Sequence, residues 1–341
     1  MLTKAIVQAP NERTTAYVLQ PEHADLLRKY DATYAKAWMV KVGPPTAELS
    51  VAVIEPGDYG MTHSIATGKR ENGQMHSWPQ TDWKLPAKGT VASPKGTILI
   101  LHGYQDVKED MIHWALFLAQ AGYRVVLVDM RGHGRSTGDW ISYGVFEVHD
   151  LEQVVDDLEN KGLVADRLGI LGLSYGASVG LELAGHDKRV TSMVAMEPFS
   201  NAREGVKDFA RAVVPGLVSS WTDSDFSTAE DKASKIAQFE WKDADILESA
   251  ATTKAPILYL YADKDHWMPP ANSELLASRT TSPHSTIVMH FDNDGGGIEE
   301  HVLLSWILDP IAPVIQNWFD ITLSQSEPAS KERLQALGFP Q

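Results

Sequence analysis

The sequence predicts an α/β protein: a mostly parallel central sheet preceded by antiparallel strands, with helices on both faces and a helical cap inserted. Three observations carry this. Six short, β-branched, nearly uncharged segments follow residue 96, as expected of strands covered on both faces. Amphipathic helical stretches alternate with them, the pattern of a parallel sheet. The stretch from Phe199 to Thr253 is too long for an ordinary connection and holds its own helical patches, Ala202–Val214 and Thr228–Phe239.

The predicted strands of this section are Thr97–Leu101, Arg124–Val128, Leu168–Leu173, Val190–Met196, Ile257–Tyr261 and Thr286–Met289. Helices are expected at Asp110–Ala121, Val148–Asn160, Tyr175–Ala184 and Asn272–Arg279, with a last one from about Val302 to Leu323. The front of the chain is less regular. Its spacing predicts a helix over Ala24–Val40, then strands at Leu49–Ile54, Met61–Thr67 and Gln74–Trp78 leading antiparallel into the sheet. Pro56-Gly57-Asp58 and Glu71-Asn72-Gly73 supply the turns between them. The expected organisation is residues 1–95 as N-terminal extension and leading strands, 96–198 with 254–341 as core, and 199–253 as cap.

Composition limits the function. The chain has 341 residues, of which 43% are hydrophobic, enough for one enlarged domain. Its formal charge of −15 argues against nucleic acid or an anionic membrane as partner. No apolar run is long enough to span a bilayer, and no signal peptide is visible. The absence of cysteine excludes thiol catalysis, thiolate metal sites and disulfides, and fits an exported protein slightly better than a cytosolic one.

Gly172-Leu173-Ser174-Tyr175-Gly176 stands where a predicted strand meets a predicted helix. A serine held above a sheet edge on so tight a turn needs small residues two before and two after it. Chance would give roughly 0.1 such matches in a chain of this length and composition. A chance match would rarely fall at a strand-to-helix junction.

With Leu101-His102-Gly103-Tyr104 after the first parallel strand, and Asp129-Met130-Arg131-Gly132-His133-Gly134-Arg135-Ser136 after the next, the chain resembles an α/β-hydrolase over roughly residues 48–322. The resemblance implies that the backbone N–H groups of Tyr104 and Tyr175 form the oxyanion hole, and that the Asp129–Ser136 loop is structural. It also implies the order serine, acid, histidine along the chain. In Ala262-Asp263-Lys264-Asp265-His266-Trp267-Met268-Pro269 the family pattern selects Asp265 as the acid, although Ala262 stands at the family's usual glycine. Asp263 and Glu197 are the alternatives. His301, after Gly295-Gly296-Gly297 and before an apolar helix, is the expected base. His290, His284 and His266 are less well placed, within a strand, before it, and beside the acid.

The expected chemistry is hydrolysis of short or medium acyl esters through an acyl-enzyme on Ser174, with no metal or organic cofactor. The expected partner is a small-molecule ester. A serine peptidase or amidase of the aminopeptidase or prolyl-peptidase kind is the alternative, and a binding protein without turnover is a third reading. Epoxide hydrolases and dehalogenases carry Asp at the elbow, where this chain has Ser174. The cap aromatics Phe199, Phe209, Trp221, Phe226, Phe239 and Trp241 either line a substrate pocket or only pack the cap onto the sheet.

Overall fold

A computed structural model describes residues 2–12, 20, 23–69, 75–86, 93–164, 167–281, 286–291, 306, 308–309 and 311–323. Lys36–Val42 (β1) and Ala47–Ile54 (β2) pair antiparallel at one side of an eight-stranded sheet. Thr62–Lys69 (β3) and Met75–Asp82 (β4) pair only with each other. Then come Thr97–Leu101 (β5), Arg124–Val128 (β6), Leu168–Leu173 (β7), Val190–Met196 (β8), Ile257–Ala262 (β9) and Thr286–Phe291 (β10). The lateral order is β1-β2-β6-β5-β7-β8-β9-β10, parallel from β6 onward.

Two expectations are corrected here. The predicted helix over Ala24–Val40 ends at Thr33, and β1 takes up the rest. Within β1 the period is two: Val40 and Val42 are buried, while Met39 and Lys41 face solvent. The strands expected at Met61–Thr67 and Gln74–Trp78 exist as β3 and β4 but do not lead into the main sheet. No residue of β3 is buried, so it lacks an apolar face to offer a central sheet.

Alternation along each central strand divides the core into two layers. Leu99 and Leu101 of β5 face the layer that holds Leu151 and Val154 of Val145–Asn160 (α4) and Val179 of Tyr175–His186 (α5). Ile98 and Ile100 face the other, with Trp114 and Leu118 of Ile112–Gln120 (α3) and Trp318 and Phe319 of Ile311–Thr322 (α11). At roughly 1.5–3 kcal/mol for each large apolar side chain buried, these two layers dominate the stability.

Between β8 and β9 the chain forms Ala202–Val213 (α6), Pro215–Val218 (α7), Asp223–Ala237 (α8) and Ile246–Thr252 (α9). α6 starts where the Asn201 side chain accepts from the N–H groups of Arg203 and Glu204, and α8 where Thr222 and Asp225 cap reciprocally. Ala24–Thr33 (α2) and Ala271–Arg279 (α10) complete the outer layers, and Leu2–Val7 (α1) packs against α8. Among the described residues no helix is long and apolar enough to cross a membrane.

Candidate active site

Parallel pairing of β5, β7, β8, β9 and β10 brings the loops after their C-terminal ends to one sheet edge, where α/β sheets bind ligands. Tyr104, Ser174, Glu197 and Asp265 follow β5, β7, β8 and β9, which are lateral neighbours. His301 falls after β10 and lies outside the described residues, as do His284 and the side chain of His290. The backbone of His290 belongs to β10, opposite Tyr261.

Ser174 links β7 to α5 at φ 48° and ψ −111°, a strained combination for a residue with a Cβ. The flanking glycines are steric necessities. A Cβ on Gly172 would stand 2.5 Å from the Gly176 carbonyl oxygen, and one on Gly176 would stand 2.4 Å from that of Leu101. The Ser174 N–H donates to the Met196 carbonyl at 2.7 Å, tying the elbow to the end of β8. One turn on, Ser178 Oγ donates to the Phe199 carbonyl at 3.0 Å and accepts from the Phe199 N–H at 2.9 Å. The elbow helix thereby holds the start of the helical segment.

Tyr175 is the first residue of α5, so its N–H has no acceptor within the helix. The loop carrying Tyr104 is set by His102, fully buried. Its Nε2 accepts from the Met130 N–H at 3.0 Å, which leaves Nδ1 to donate to the Gly103 carbonyl at 2.8 Å. Burial holds the His102 pKa below the ordinary histidine value, so the ring is neutral. Asp129, in the loop after β6, accepts from the Lys108 backbone and ammonium and from the Arg135 N–H. Arg131 clamps Asp150 through two bonds of 2.6 and 2.7 Å. These residues fasten loops.

Asp265 is buried, and its Oδ1 accepts from the N–H groups of Trp267 and Met268 at 2.7 and 2.8 Å. Asp263 and His266 are exposed. Glu197 is buried at positive φ (53°), with its N–H on the Leu260 carbonyl.

A cavity of about 220 Å³ opens beside Ser174, lined by Tyr104, Tyr175, Phe199, Phe209, Trp221 and Phe226 together with aliphatic side chains of α6 and α7. No described lining residue is charged. The aromatics of the helical segment divide. Phe239 and Trp241 meet edge-on, 5.0 Å between centroids, and pack on Phe146 and Tyr143 instead of lining the cavity.

Residues 92–242 match the family described as serine aminopeptidase, S33. A monoacylglycerol lipase of Mycolicibacterium smegmatis is 28% identical over 55% of this chain and 77% of its own. A thermostable monoacylglycerol lipase of Bacillus sp. strain H-257 is 28% identical over 56% and 79%. The solved structure of a Pyrococcus furiosus esterase superposes on 85% of this chain and 94% of its own, with a TM-score of 0.55 at 18% identity. The chain is an α/β-hydrolase. It is an enzyme of that superfamily.

Sequence reading missed three parts of this hydrolase's candidate site. Tyr143, at φ 58°, lines the cavity with its ring 5.8 Å from that of Tyr175. Ala5 and Ile6 of α1 line it as well. The only local signal was Tyr143-Gly144 before α4, a turn pair in which Gly144 takes φ 130° against the Glu182 side chain. Nothing near Ala5 points to residues over a hundred positions away.

Proposed function

We propose that the protein hydrolyses carboxylic esters with short or medium acyl groups. The observation that carries this is the apolar cavity opening on Ser174, in which no described lining residue is charged. An apolar wall suits an acyl chain, whereas an aminopeptidase substrate brings an ammonium group that needs an acidic or polar partner. A dry cavity of about 150 Å³ holds one benzene. At about 220 Å³, this one takes an acyl chain on the order of nine carbons by the same proportion.

Ser174 Oγ attacks the ester carbonyl while His301 takes its proton, and Asp265 orients the imidazole and stabilises the imidazolium. The N–H groups of Tyr104 and Tyr175 hold the oxyanion. The tetrahedral intermediate collapses with loss of the alcohol, which takes the proton from His301. Water activated by the same histidine then releases the acid and restores Ser174. Residues 199–253 act as a cap over the site, between the core segments 96–198 and 254–341.

A peptidase reading has the serine-aminopeptidase match over residues 92–242 in its favour. A panel of p-nitrophenyl esters of graded acyl length, assayed beside aminoacyl anilides, separates the two. Ester turnover at least about a hundredfold above anilide turnover in kcat/KM is expected, since none of the described lining residues would pair an ammonium group. The opposite ranking would replace the ester reading with the peptidase one.

A further inference from the structure

We infer that α1 (Leu2–Val7) is a specificity wall of the acyl cavity, with Ala5 and Ile6 limiting the length of the acyl chain. The inference rests on the ester-hydrolase reading for its substrate, and on the placement of α1 for its geometry.

Six residues are too few to hold a helix in water, so α1 exists because of what it packs on. One side packs on α8, whose Phe226 also lines the cavity. Its C-terminal end is laced to the loop between β6 and α4. The Tyr143 hydroxyl donates to the Ile6 carbonyl at 2.6 Å, the Ile141 N–H to the Val7 carbonyl at 2.9 Å, and the Ala9 N–H to the Asp139 carbonyl at 3.0 Å. Gln8 and Trp140 form an antiparallel bridge in the same run. The Asn11 side-chain amide continues it, donating to the carbonyls of Gly134 and Ser136 at 2.9 and 3.1 Å. Val7 and Ala9 are completely buried, and Gly132 leaves room for Ala9: a Cβ there would stand 2.5 Å from the Ala9 Cβ.

The wall is thus held both by α8 and by the loop between β6 and α4, whose Tyr143 lines the same cavity and meets the Tyr175 ring edge-on. Ala5 is the smallest side chain α1 offers to the cavity, and Ile6 the largest. Enlarging the first shortens the acyl chain accepted, and trimming the second lengthens it.

The test compares the full chain with Ala5→Phe and Ile6→Ala on p-nitrophenyl esters from acetate to dodecanoate, with binding of linear alcohols from butanol to decanol by calorimetry. Because one methylene in an apolar pocket is worth about tenfold or more, Ala5→Phe should lower the ratio of kcat/KM for decanoate to that for acetate by at least about tenfold. Ile6→Ala should move the optimum to longer chains, and the longest alcohol bound should shift the same way in each variant. If both variants keep the wild-type chain-length profile, α1 is not a specificity wall, and the ester reading stands. If the wild type turns over no ester, the ester reading fails; the alcohol series then decides the wall alone, a shifted cut-off supporting it and an unchanged one overturning it. Should Ala5→Phe fail to fold, Ile6→Ala decides by the same two measurements.

Discussion

The imidazole of His102 accepts the Met130 N–H at 3.0 Å and so couples the loop after β5 to the loop after β6. Both ring nitrogens are committed, one as acceptor and one as donor, which only the neutral ring can satisfy.

This coupling has a pH signature. Burial lowers the folded-state pKa of His102, while the unfolded chain titrates near about 6.5. Below that value the unfolded chain binds more protons than the folded one, so His102 removes stability as pH falls and leaves it intact above. Thermal unfolding from pH 8 to pH 5 should show this acid slope, and His102→Ala should flatten it. The substitution also leaves the buried Met130 N–H without its acceptor, at a cost of about 1–3 kcal/mol at every pH. An identical acid slope in both proteins would remove His102 from this role.

Ser174 occupies backbone geometry suited to glycine. Ser174→Gly should therefore abolish ester turnover and raise stability by about 1 kcal/mol through relief of strain. Ser174→Ala should be equally inactive without the gain, because it keeps the Cβ. Denaturant titration of the two variants measures the difference; equal stability would mean that the elbow carries no strain.

The two acids after β9 should separate in kinetics. Asp265→Asn keeps an oxygen for the N–H groups of Trp267 and Met268, so the loop survives while the charge proposed to orient the imidazole is removed. A loss on the order of 10⁴ in kcat is expected. Asp263→Asn, at an exposed position, should cost little. If Asp263→Asn is the damaging change, the acid is reassigned, and if neither matters, Glu197→Gln is the next variant to assay.

Ser178 joins the elbow helix to Phe199 by one bond given and one received. Ser178→Ala strands both backbone groups of Phe199, at about 1–3 kcal/mol, and frees a wall of the cavity. KM for medium-chain esters should rise more than kcat falls. An effect confined to stability, with unchanged KM, would limit Ser178 to a structural part.

The turn at Ser174 was legible because a tight strand-to-helix turn is a local steric problem. Its two glycines, two residues to either side, are read off a five-residue window. The parallel strands were legible because both-face burial leaves a continuous β-branched run, as in Thr97–Leu101. Asp265 was narrowed only by the resemblance to the family pattern ending at Pro269, and its burial beside an exposed Asp263 appears only when the loop is folded. The period-two pattern of Trp38–Val42 was present in the sequence and was outweighed by the helical spacing that precedes it.

The sequence alone determined what its near neighbours determine: strand and helix periods, the turn that lifts Ser174, and the order of candidate groups along one sheet edge. Tertiary structure decided that β3 and β4 stand apart from the main sheet. It decided that Phe239 and Trp241 pack while Phe209 and Trp221 line the cavity, and that α1 closes one side of it. The reason is distance along the chain. Periods and turns come from interactions within a few residues, whereas a cavity is bounded by groups such as Ile6 and Tyr143, 137 positions apart, whose meeting depends on every element packed between them.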